Sequence, residues 1–82
     1  MDEQPQEIPK VKDWVGSYEV SSTADAKEGI DYLKNLVYDC DSCLRAHFRD
    51  AQANGRTSFI TYRKSRFELI NNAGEWNIEK AA

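Results

Sequence analysis

What most constrains this chain is residues 23–55, TADAKEGIDYLKNLVYDCDSCLRAHFRDAQANG. Ile30, Leu33, Val37, Cys40, Leu44, His47 and Ala51 follow one another there at alternating steps of three and four, flanked by Leu36, Cys43 and Phe48. That spacing is the signature of one amphipathic helix. At roughly 100° per residue the apolar sector spans about 140°, wider than the seam of a two-stranded coiled coil and suited to a sheet. Ser22 or Thr23 can cap the start, because either hydroxyl can accept a first-turn N–H. Asp25 and Glu28 put negative charge at the positive helix end. Asn54 and Gly55 form a strong stop, since glycine takes the left-handed conformation cheaply. Gly29 weakens the first turns by about 1 kcal/mol relative to alanine.

The length of this helix carries an implication. About 30 residues at ~1.5 Å each make a rod of roughly 45 Å. A sheet of three or four strands is only ~15–20 Å wide. The surplus apolar surface must meet a bend, the N-terminal segment or a second copy of the chain, so a homodimer is one expectation. Size points the same way. A domain of 82 residues buries a smaller share of its surface than a larger one, and two cysteines on one helix give no disulfide framework.

Around the helix the sequence reads as strand. Residues 13–20, DWVGSYEV, alternate, and Gly16 marks a bulge or close approach. Residues 57–62, TSFITY, are rich in β-branched and aromatic side chains, with Ile60 and Tyr62 expected inward. Residues 67–70, FELI, form a third strand with Phe67 and Leu69 inward. The parity shift across Arg63, Lys64, Ser65 and Arg66 fits a tight turn or bulge. A competing reading starts a short helix at Ser65, with Glu68 completing a capping box. Asn71, Asn72, Ala73 and Gly74 make a turn, and residues 75–79, EWNIE, alternate with Trp76 and Ile78 inward. The expected fold class is α+β: one long amphipathic helix on a three- to four-stranded antiparallel sheet, in the order β-α-β-β-β. Residues 1–10 are expected to be a flexible acidic tail and residues 11–80 a single domain. No apolar run reaches the ~18 residues of a membrane span, and the acidic start lacks the apolar region of a secretory signal. A cytoplasmic protein without membrane contact is the simplest expectation.

Chemistry-bearing residues are few. Cys40 and Cys43 form a CxxC motif with His47 four residues on. Redox activation needs a helix N-terminus, and a mid-helix position denies it. Zinc needs four ligands, and there is only one histidine. The expected reading is therefore two small core cysteines and a boundary histidine, with no metal, no cofactor and no catalytic residue. Glycine-rich phosphate loops and HExxH are missing from the sequence, so an enzyme is not expected.

Charge is more informative. Acidic groups crowd the first half of the chain, whereas Arg45, Arg49, Arg56, Arg63, Lys64 and Arg66 face only Asp50 and Glu68 in the stretch that follows. Such asymmetry points to a charged partner. On the outer helix face Tyr38 stands opposite the apolar stripe, among Asp31, Asp41 and Arg45. A tyrosine set in polar surroundings suits the centre of an interface. The leading expectation is a non-enzymatic protein-interaction or regulatory module that uses Asp31, Tyr38, Asp41 and Arg45. The alternative is a nucleic-acid-binding module using Arg63, Lys64 and Arg66, with Tyr62 and Phe67 beside them for base stacking.

Overall fold

Residues 10–81 are described by the structure, a computed structural model. The order is β1 (Lys10–Val15), β2 (Tyr18–Thr23), a single 3-10 turn (Ala24–Ala26), α1 (Lys27–Asp39), α2 (Asp41–Asn54), β3 (Arg56–Ile60), β4 (Arg66–Asn72) and β5 (Glu75–Lys80). The class is α+β, with two helices over a five-stranded mixed sheet. The sequence reading had one helix and fewer strands, all antiparallel. Each difference has a local cause. The acidic tail expected over residues 1–10 lies outside the described residues, apart from Lys10, which opens β1.

The first difference is a hairpin where one strand was expected. In a single strand, Val15 and Val20 would point to opposite faces. The chain instead reverses at Gly16, whose φ is 61°, and β1 pairs antiparallel with β2 from Val15↔Tyr18 to Lys10↔Thr23. Val15 and Val20 then both enter the core.

The second difference is topological. After β2 the helices carry the chain across the sheet to its far edge. There β3 pairs with β4 and β4 with β5, and β5 inserts beside β2. The sheet order is β1-β2-β5-β4-β3, and the β2–β5 pairing is parallel, with Val20 opposite Trp76 and Ser22 opposite Ile78.

The third difference is the break at Cys40. Its backbone leaves the helical region (φ −158°, ψ 81°). Its N–H still closes α1 onto the Leu36 carbonyl at 2.9 Å, and its own carbonyl accepts from Cys43 and Leu44 at 3.0 and 3.1 Å to begin α2. The 13 residues of α1 and 14 of α2 make two rods of about 20 Å each. Each fits within the width of a five-stranded sheet, about 24 Å, so the overhang expected of a 45 Å rod is gone. With it goes the geometric reason for a second copy. The tip of the first hairpin lies under the junction, where a Cβ on Gly16 would sit 3.7 Å from Val37 and 3.9 Å from Leu44. At the start of the helical region, Thr23 is extended and its hydroxyl contacts the Asp25 carboxylate instead of capping a backbone N–H. At the end, Gly55 adopts the left-handed cap (φ 87°) as its sequence position predicts.

Between Ile60 and Arg66, which are register partners, the chain turns through residues 61–65. Lys64 N–H donates to the Thr61 carbonyl at 2.8 Å, Thr61 N–H donates to Ser65 at 2.9 Å, and Lys64 takes the left-handed conformation (φ 65°) that glycine usually supplies. The strand reading of residues 66–72 therefore holds over the short helix. The inward parity of β3 is the reverse of the expected one. Phe59 and Thr61 are buried, while Ile60 and Tyr62 are 53% and 65% exposed.

The core is Val15, Val20, Ile30, Leu33, Leu36, Leu44, Phe48, Phe59, Phe67, Leu69 and Ile78, with Ala26 and Ala51. Tyr18 stacks on Phe48 at 3.9 Å, and Trp76 meets both rings edge-on. No helix among the described residues is long and apolar enough to cross a membrane.

Candidate interaction surface at the helix junction

The end of α1, the start of α2 and the β3–β4 loop form one neighbourhood. Tyr38, in the last turn of α1, is 90% exposed, in keeping with its place opposite the apolar stripe. Next to it, Asp39 accepts a hydrogen bond from the Tyr62 hydroxyl at 3.3 Å. Tyr62 in turn meets Tyr32 of α1 edge-on, with ring centroids 5.0 Å apart. Packing against the helix and the nearby Asp39 charge both raise the Tyr62 phenol above its ordinary value. Beneath this contact Thr61 donates to Glu28 at 2.6 Å, tying the loop to the first turn of α1.

An open groove of about 450 Å³ runs between α1 and the loop, bordered by Lys27, Asp31, Tyr32, Asn35, Tyr62 and Arg63. Its rim carries both signs of charge. Lys27 and Asp31 pair across one helical turn at 3.3 Å, an exposed contact of small energetic worth.

The structure thus regroups the residues picked out from sequence. Asp31 and Tyr38 are on α1, whereas Asp41 and Arg45 are on α2, beyond the break. Asp41 and Arg45 pair with each other at 3.0 Å, so the four do not share one continuous helical face. Asp31 instead shares the groove with Arg63, a residue assigned to the nucleic-acid alternative. The three loop cations diverge. Arg63 lines the groove, Lys64 occupies the left-handed turn position, and Arg66 lies opposite Ile60 on the sheet face turned away from the helices. Tyr32 and Asp39 were missed. Tyr62, expected inward on its strand but also named beside the basic turn for base stacking, is exposed, whereas Phe67, named with it, is buried in the core. For Tyr62 the neighbouring Arg63 was the available signal, since a turn between two strands carries its side chains away from the sheet.

The cysteines also sit differently from expectation. Cys40 and Cys43 are joined by a disulfide. They lie at the N-terminus of α2, not in mid-helix, because the helix breaks at Cys40. Cys40 is half-buried against the core and Cys43 is exposed. Neither thiolate is free for a cation beside His47, and no group of three metal-ligating side chains occurs among the described residues. His47 is half-buried near Phe59. Burial lowers its pKa below the usual 6.5, with Asp50 opposing the shift. On the other side of α1, Lys34 reaches Asp13 of β1 at 3.0 Å. That hydrogen bond holds the Asp13 carboxyl below its ordinary value and raises the Lys34 ammonium.

Comparison with protein-family models, curated proteins and solved structures found no match to this chain.

Proposed function

We propose that this chain is a non-enzymatic, cytoplasmic interaction module that grips a protein partner through the exposed face of α1, with Tyr38 and the groove between α1 and the β3–β4 loop. The supporting observation is Tyr38 itself: a large aromatic, 90% exposed, in the last turn of α1, the helix that also borders a groove rimmed by Asp31 and Arg63. Exposed tyrosine amid polar groups is the composition of an interface hot spot. A rim of mixed charge suits a polar protein surface or peptide, and also a second copy of the chain, better than an apolar ligand. The test is affinity capture from host lysate, with and without nuclease, using wild type and Y38A. A nuclease-resistant partner lost in Y38A, with unchanged circular dichroism, is the expected result. An identical set of captured proteins for both baits removes the reading. Sedimentation from micromolar to millimolar protein reads self-association directly.

A second reading has its own support. Arg63, Lys64 and Arg66 are exposed and belong to none of the ion pairs among the described residues. The exposed ring of Tyr62 lines the same groove as Arg63 and offers a face for base stacking. On this reading the loop binds single-stranded nucleic acid, with affinity that falls as salt rises because phosphate contacts release counterions. Anisotropy titrations with a labelled oligonucleotide test it. Equal affinity for wild type and R63A/K64A/R66A eliminates the loop as the binding element.

A further inference from the structure

We propose that Cys40 and Cys43 form a thiol–disulfide exchange site, in which an incoming thiolate attacks the exposed Sγ of Cys43 and Cys40 is the leaving group. This does not depend on the partner reading above. It rests on the asymmetry of the pair. Cys43 is exposed, whereas Cys40 is half-buried and packed against the core. Cys40 is also the N-cap of α2, and its Sγ accepts the backbone N–H of Cys43 at 3.3 Å. A sulfur at that position gains from the positive end of the helix and from a donor already aimed at it, which favours its thiolate form. Exchange is fastest when the departing sulfur is the better-stabilised thiolate and the attacked sulfur is the accessible one.

The step balances with a thiol as reductant. The attacking RS⁻ forms a bond to Cys43 Sγ, the Cys43–Cys40 bond breaks, and its electron pair goes to Cys40. A second thiolate attacks the R-group sulfur of the mixed disulfide, RSSR leaves, and Cys43 departs as a thiolate that takes a proton from water. Two thiols are oxidised and one protein disulfide is reduced.

The surroundings select the class of thiol. Asp39 and Asp41 flank Cys40, and both are exposed; Asp41 is partly offset by Arg45 at 3.0 Å. The balance is negative, so the site favours thiols that carry positive charge: a cationic small thiol, or a protein cysteine set among basic residues.

The test uses the oxidised full chain at neutral pH and low salt, with cysteamine, 2-mercaptoethanol or mercaptoethanesulfonate as the thiol. Products are trapped with N-ethylmaleimide and mapped by mass spectrometry. The expected product carries the small thiol on Cys43 and maleimide on Cys40, in about tenfold excess over the reverse arrangement. Rates corrected for thiolate fraction and for the basicity of each thiol fall from cysteamine to the sulfonate by roughly threefold or more, and the spread narrows in D39N/D41N and in high salt. Adducts mainly on Cys40, or a disulfide that survives millimolar thiol for hours, overturn the exchange site. A flat or reversed charge order overturns the assigned thiol class.

Discussion

At Gly29 a single methyl group would have to enter space that three side chains already hold. A Cβ there would lie 3.0 Å from Ile78, 3.1 Å from Phe67 and 3.3 Å from Phe59. These residues are packed in the core and cannot step aside freely. In the sequence Gly29 reads as a weak helix position. In the structure it is where α1 settles onto the sheet. G29A should therefore lose stability by about 1–2 kcal/mol in urea unfolding, because overpacking outweighs the ~1 kcal/mol gain in helix propensity. Ser22 presents the opposite case. Its hydroxyl is buried without a partner, so S22A should be neutral or more stable by up to about 1 kcal/mol, since a desolvated polar group is removed. His47 gives a pH signature. Its folded pKa lies below the unfolded value of 6.5, so the unfolded chain takes up the proton more readily. Stability is then retained above pH 6.5 and falls as pH drops through the window just beneath it. H47Q should flatten that part of the thermal-unfolding profile. None of these effects is visible in sequence, because each depends on what a distant strand places beside the residue.

Element identity was more legible. Apolar periodicity marked the helical region, Gly55 its end, and strand patterning the segments 67–70 and 75–79, which lie within the observed β4 and β5. The helix break was not legible. Residues 36–44 contain neither glycine nor proline, and the apolar period runs through Cys40 without interruption. The interruption comes from fit to the sheet, with the first hairpin filling the space beneath the junction. The strand 13–20 failed for a related reason: its alternation was real over each half, but the reversal at Gly16 changed which residues share a face. The disulfide closes a loop of only a few residues at this junction, so chain entropy assigns it roughly 2 kcal/mol. Chemical denaturation with and without a reducing agent should show a midpoint shift of that size while helical circular dichroism is kept.

At the scale of the whole molecule, the candidate site was only half readable. The exposure of Tyr38 and the Asp41–Arg45 pair follow from helical spacing alone. The groove does not, because it requires the β3–β4 loop to lie against α1, a contact between residues 33 apart at Glu28 and Thr61. The sheet order was unreadable for a similar reason: nothing local specifies that β5 lies between β2 and β4. Two outer strands, β1 and β3, flank three inner ones. Hydrogen exchange should accordingly be slowest at paired amides of β2, β5 and β4 and faster in β1 and β3; equal protection across all five would contradict this arrangement. The placement of β5 also bears on synthesis. While the ribosome still holds the residues that follow the β4–β5 turn, the first hairpin and the second are joined only through the helices, with no strand to hydrogen-bond them into one sheet. The nascent polypeptide must wait for β5 to emerge before its two half-sheets close into one.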